Sequence, residues 1–151
     1  METLMKLLFI LSLGIGLTAC GGGGGGGGGG GTKPSTHNAG ENCLSSSCHA
    51  SGGDGPTFSA AGTIYNSSSG AQTRATIKFF VANTNTLITE TETDNSGNFY
   101  TTTDMSQHFN GNGVSPEVTG PSGGVSSMSS AASGACNASG CHGSSNRIVA
   151  N

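Results

Sequence analysis

Past residue 31 of this 151-residue chain, large apolar side chains are few and mostly confined to one stretch, Phe58 to Phe109, so the core is expected there. Around that stretch Gly, Ser, Thr, Asn and Ala dominate, and Trp is absent. A chain so poor in hydrocarbon buries little apolar surface per residue. It needs covalent staples or a bound group to offset the entropy lost on ordering.

Within the stretch, the pattern is that of strands. Ala75, Ile77, Phe79 and Val81 alternate with Thr76, Lys78 and Phe80 in a run rich in β-branched and aromatic residues. Shorter strand candidates are Ala60 to Asn66, Thr86 to Thr91 and Asn98 to Thr103. They are separated by turn-forming stretches at Ser67 to Gly70, Ala82 to Asn85 and Asp94 to Gly97. The expected fold class is mainly β: a small antiparallel β-sandwich or meander of four or five strands over 58–103, flanked by irregular arms over 32–57 and 104–151. Gly62-Thr63-Ile64-Tyr65, Ala75-Thr76-Ile77-Lys78 and Thr93-Asp94-Asn95-Ser96-Gly97-Asn98-Phe99 resemble the strand and turn pattern of carboxypeptidase regulatory-like domains. These are transthyretin-like β-sandwiches, and the resemblance implies a scaffold and no catalysis.

The first 31 residues stand apart. A polar start with Lys6 and a mostly apolar run from Leu7 to Leu17 read as a secretion signal spanning 1–19, too short for a membrane-spanning helix. Leu17-Thr18-Ala19-Cys20 is similar to the lipobox of bacterial lipoproteins. That likeness implies cleavage before Cys20, acylation of its thiol and, with Gly in place of Asp at position 21, residence at the outer membrane, facing the periplasm or the cell surface. An ordinary secretory peptide with a spare Cys20 is the plainer alternative. Gly21 to Gly31 is unbroken glycine, a flexible tether with a root-mean-square reach of roughly 18 Å. It is not a phosphate loop, because no Lys-Ser/Thr follows it.

Two copies of one pattern carry the chemistry: Cys43-Leu44-Ser45-Ser46-Ser47-Cys48-His49 and Cys136-Asn137-Ala138-Ser139-Gly140-Cys141-His142. Two thiols followed at once by an imidazole is the order of groups that holds a haem covalently, with thioethers to the porphyrin edge and the imidazole on the iron. The spacing of four resembles sites in multihaem cytochromes of the c3 type and in lipoprotein cytochromes of metal-reducing bacteria. The resemblance implies two haem c groups attached through Cys43, Cys48, Cys136 and Cys141, with His49 and His142 as proximal iron ligands.

The chain has four histidines, which leaves His37 and His108 for the distal sides of the two irons. Met105 and Met128 compete for the same role, and Met in place of His would raise the reduction potential. Each leftover histidine, or either methionine, has a plainer reading as a solvated or packing residue. Two other uses of the same cysteines stay open. Export favours disulfides Cys43-Cys48 and Cys136-Cys141, which accounts for the pairing but not for the histidines. Zinc could take two thiolates and two imidazoles, though the knuckle spacing is unusual.

Two bis-histidine irons would leave no open coordination position, so the expectation is an electron carrier and not an enzyme. The implied partners are other redox proteins, including cytochromes, with an extracellular acceptor as one candidate end of the path. The rival from another class is a disulfide-stapled surface lipoprotein using its β-module for adhesion or assembly. No other catalytic constellation is visible, since Glu90, Glu92 and Asp94 read as a solvated face. A formal charge of −3 makes nucleic acid an unattractive partner.

Overall fold

The computed structural model describes residues 38–151. The signal segment, Cys20, the glycine tether and His37 lie outside the described residues. Strands make up 32% of the described residues and helix 4%, so the fold is mainly β, as the alternation in the sequence leads one to expect.

Among the described residues seven strands form: β1 (Ala60–Tyr65), β2 (Thr76–Val81), β3 (Leu87–Glu92), β4 (Asn98–Thr101), β5 (Val114–Thr119), β6 (Val125–Ser127) and β7 (Ile148–Val149), with one helical turn, α1 (Ser106–Phe109), between β4 and β5. They assemble into a three-stranded sheet in the order β4-β1-β7 and a four-stranded sheet in the order β3-β2-β5-β6. All named pairings are antiparallel except that of β1 with β7. The arrangement is a small β-sandwich.

The core lies between the sheets. Ala75, Ile77 and Phe79 are buried while Thr76, Lys78 and Phe80 are not, so the period of two along β2 sets which face looks inward. Ile64 of β1 and Phe99 of β4 come from the other sheet, and the Phe79 and Phe99 rings meet at 6.3 Å with planes tilted by 46°. Val114 and Val118 of β5 and the fully buried Met105 complete the cluster. Met105 is a packing residue in this structure.

The strands extend beyond the four or five expected, because β5, β6 and β7 fall after residue 103. Sequence pattern missed β5 because Pro116 interrupts it. Proline cannot donate to a ladder and usually argues against a central strand, yet β5 pairs with β2 on one side and with the three-residue β6 on the other.

The turn at Asp94-Asn95-Ser96-Gly97 is closed by an acidic side chain. Asp94 Oδ1 accepts the amides of Ser96 at 2.8 Å and Asn98 at 2.9 Å, and Gly97 takes a φ of 74° that only glycine adopts without strain. Asp94 is therefore buried. The expectation of a solvated acidic face holds for exposed Glu90 and Glu92 on edge strand β3 but not for Asp94.

Candidate functional site

The two Cys-x4-Cys-His segments have little sequence in common between their cysteines, yet they fold into the same loop. In the first, Ser45 N–H donates to Asn42 O at 3.1 Å, Cys48 N–H to Ser45 O at 3.0 Å, and His49 N–H to Cys43 O at 3.0 Å. In the second, Ala138 N–H donates to Ala135 O, Cys141 N–H to Ala138 O, and His142 N–H to Cys136 O, each at 3.0 Å. The shared ladder runs from small, turn-compatible residues at matching positions, and the Asn42 side chain tightens the first copy by accepting Leu44 N–H at 3.2 Å. Each loop thereby folds the backbone at its histidine back onto the carbonyl of its first cysteine.

Both imidazoles are oriented through the same nitrogen. His49 Nδ1 lies 2.9 Å from Pro56 O, and His142 Nδ1 lies 3.1 Å from Asn146 O. A carbonyl can only accept, so Nδ1 carries a hydrogen in both rings. This is the second-sphere arrangement that sets the tautomer of a metal-binding histidine. The rings are held in different surroundings. His49 stacks on Phe58 at 3.9 Å between centroids, and Phe58 stacks on the exposed Tyr100 of β4 at 4.3 Å. His142 Nε2 instead lies 3.3 Å from the Sδ of Met128.

The central strand of the smaller sheet brings the loops together. Cys136 N–H donates to Ala61 O at 3.1 Å, and Ala61 N–H to Gly134 O at 3.0 Å, so the second motif begins as an extra pairing along β1. Thr63, two residues further, is a junction. Its Oγ1 donates to Asn98 Oδ1 at 2.6 Å and accepts both Gly40 N–H at 2.8 Å, from the first arm, and Asn137 Nδ2 at 3.0 Å, from inside the second motif. Between Ala61 and Thr63 the chain needs glycine: a Cβ on Gly62 would stand 2.9 Å from both Cys136 Cβ and the Phe99 ring.

This packing distinguishes the thiols. Cys136 is half-buried against the core, and its thiol is pushed up to about 12 from an ordinary 9.0 by burial first, then by nearby Cys141 and Cys43. Burial also raises the Cys43 thiol, with smaller upward contributions from Glu41 and Asp94 against the lowering effect of a backbone hydrogen bond. Cys141 is exposed. Cys43, Cys136 and Cys141 are free thiols, so neither within-motif disulfide is formed. Cys48 is not among these free thiols.

The remaining sequence candidates are dispersed. His108 sits on α1, where its carbonyl accepts the amides of Gly111 at 3.1 Å and Gly113 at 2.7 Å, and its ring contributes to holding the Asp104 carboxyl below the usual range, a shift caused mainly by Ser106. Among the described residues no hydrogen bond or ring contact joins His108 to either loop, and no three His, Cys, Asp or Glu side chains converge as a metal cluster would require. The Phe58 stack and the Thr63 junction went unanticipated in the sequence, which offers no local signal for either. No family model, no curated protein and no solved structure matches the chain.

Proposed function

We propose that this chain is an exported dihaem c-type cytochrome lipoprotein that passes electrons between redox partners, with an extracellular acceptor as one candidate end of the path. The observation that carries this reading is the repeated loop: two distant segments adopt one backbone hydrogen-bonding pattern, and in both the histidine is pinned through Nδ1 to a backbone carbonyl. Disulfide stapling would account for the cysteines alone. It would leave the common imidazole orientation without a purpose.

Each haem would be held by its motif's two cysteines and by His49 or His142, and it would supply a one-electron couple. The chain's part is to fix ligand orientation and to bring the two sites close. Thr63 ties the first arm and the second motif to one strand, and Cys43 lies near enough to Cys136 to raise its pKa. Of His37 and His108, the distal candidates from the sequence, only His108 falls among the described residues. The anchor is Cys20.

The test is to mature the full chain in a host with covalent haem machinery, then record the mass and the reduced absorption spectrum. Two added haem masses, and sharp reduced bands that survive acid-acetone extraction, are expected. A colourless, folded protein whose four motif sulfurs are disulfide-bonded would overturn the reading.

A further inference from the structure

The four-stranded sheet carries a surface groove of about 430 Å³ where the β2–β3 turn, the start of β5 and the residues after β6 meet. That volume is in the range of small-ligand sites, about 300–1,000 Å³. Phe80 lines the groove and takes no part in the core, although its neighbour Phe79 is buried there. Beside it the register of β2 against β3 shifts: Phe79 stands opposite Thr89 and Phe80 opposite Leu87, so Ile88 is an extra residue of β3. Such bulges re-aim the side chains around them, and this one flanks an aromatic ring kept on the solvent side of a sheet.

Both walls are held by the chain itself. On one side Val81 N–H donates to Thr86 O at 2.9 Å, and Thr84 Oγ1 donates to Val81 O at 2.8 Å while accepting Thr86 N–H at 3.1 Å. Asn83 sits in this closed turn at a φ of 60°, a conformation that asparagine tolerates better than most residues. On the other side Met128 N–H donates to Pro116 O at 3.0 Å and Ser115 Oγ to Ser129 O at 2.5 Å, which fastens the segment after β6 along β5. Among the described residues the side chains of Asn83, Asn85 and Glu117 have no hydrogen-bond partner, so all three can serve a ligand.

The lining decides what chemistry fits. No Lys or Arg borders the groove, and Lys78, on the same face of β2 as Phe80, stands opposite Glu117 on one side and Glu90 on the other. An anion would find no charge to neutralise it. A purely apolar ligand would strip water from two amides and a carboxylate without replacing their hydrogen bonds. A sugar ring answers both halves of the site. Its face of C–H bonds can lie on an aromatic ring, while its hydroxyls donate to a carboxylate and exchange hydrogen bonds with amides. We propose that this groove binds a neutral saccharide, with Phe80 as the stacking surface and Asn83, Asn85 and Glu117 engaging the hydroxyls. No cysteine or histidine lines it, so the inference stands apart from the dihaem reading.

The experiment screens the full chain on an array of neutral and anionic oligosaccharides and titrates the strongest neutral hit by calorimetry. Saturable binding of a neutral oligosaccharide is expected. Phe80→Leu keeps apolar bulk but removes the aromatic face, and should weaken binding by about tenfold. Asn85→Ala removes one amide at an exposed position, and should weaken binding by about fivefold with the thermal unfolding midpoint unchanged. Binding to no neutral oligosaccharide, a preference for anionic ones, or an affinity that survives both substitutions overturns the assignment.

Discussion

Asn137 grips Thr63 from both sides of its side-chain amide: Oδ1 accepts the Thr63 amide at 3.3 Å while Nδ2 donates to Thr63 Oγ1 at 3.0 Å. Both residues are buried and 74 positions apart. Asn137 is the first residue after Cys136, so this exchange locks the second motif onto the central strand of the smaller sheet.

Thr63→Val keeps the shape of the side chain but removes the hydroxyl that serves Gly40, Asn98 and Asn137. Each buried polar group left without a partner costs about 1–3 kcal/mol, so the expected loss is at the upper end of what one substitution in a small domain produces. Urea denaturation should show a lower midpoint with an unchanged slope. Ser139→Ala, at an exposed position in the same motif, should be near neutral.

The thiols should separate by reactivity and by pH. In the haem-free protein an alkylating reagent should label exposed Cys141 first and Cys136 last, read by peptide mass. The Cys136 thiol is raised in the folded state from 9.0 to about 12. The folded chain therefore holds its proton more tightly than the unfolded chain, so the stabilising contribution is complete below about 9. As pH rises from 9 to 12 the unfolded thiol loses its proton first, and stability falls by up to about 1.4 kcal/mol per pH unit. Cys136→Ala should flatten that part of the profile. An unaltered slope would show that other groups cause it.

Gly55 lies against the imidazole of His49 so closely that any Cβ would overlap the ring at Cε1 and Nδ1. Gly55→Ala should displace His49 from Pro56 O and from Phe58. In the haem-loaded protein the expected result is a spectral change at one haem only. Changes at both haems would show that the two sites are not independently set.

Phe58 bridges His49 and Tyr100 through two stacked contacts. Aromatic pairs of this kind contribute about 0.5–1.5 kcal/mol each beyond area burial, so Phe58→Leu should destabilise the haem-free protein by about 1–3 kcal/mol. Tyr100→Leu, which removes one contact, should cost about half as much in thermal or urea unfolding.

Cys20→Ser should release the signal-cleaved protein from membranes on fractionation, because acyl chains supply about 0.8 kcal/mol per buried methylene. Retention in the membrane fraction would count against lipid anchoring.

The sequence by itself determined what is local. The alternation from Ala75 to Val81 fixed β2 and its inward face, because side chains on a strand change sides with every residue. Turn formers at Ser67, Ala82 and Asp94 marked where β1 to β4 begin and end, and the spacing of cysteines and histidines marked both loops. Tertiary structure alone decided what depends on partners far along the chain. β5 exists despite Pro116 because β2 and β6 flank it, and Asp94 is buried because it closes a turn packed under the sheet. Nothing near Met128 in sequence distinguishes it from Met105, yet one reaches His142 and the other fills the core. The loops converge because Thr63 offers a single hydroxyl that both arms can reach, and such a junction has no signature in the order of residues on any one of its strands.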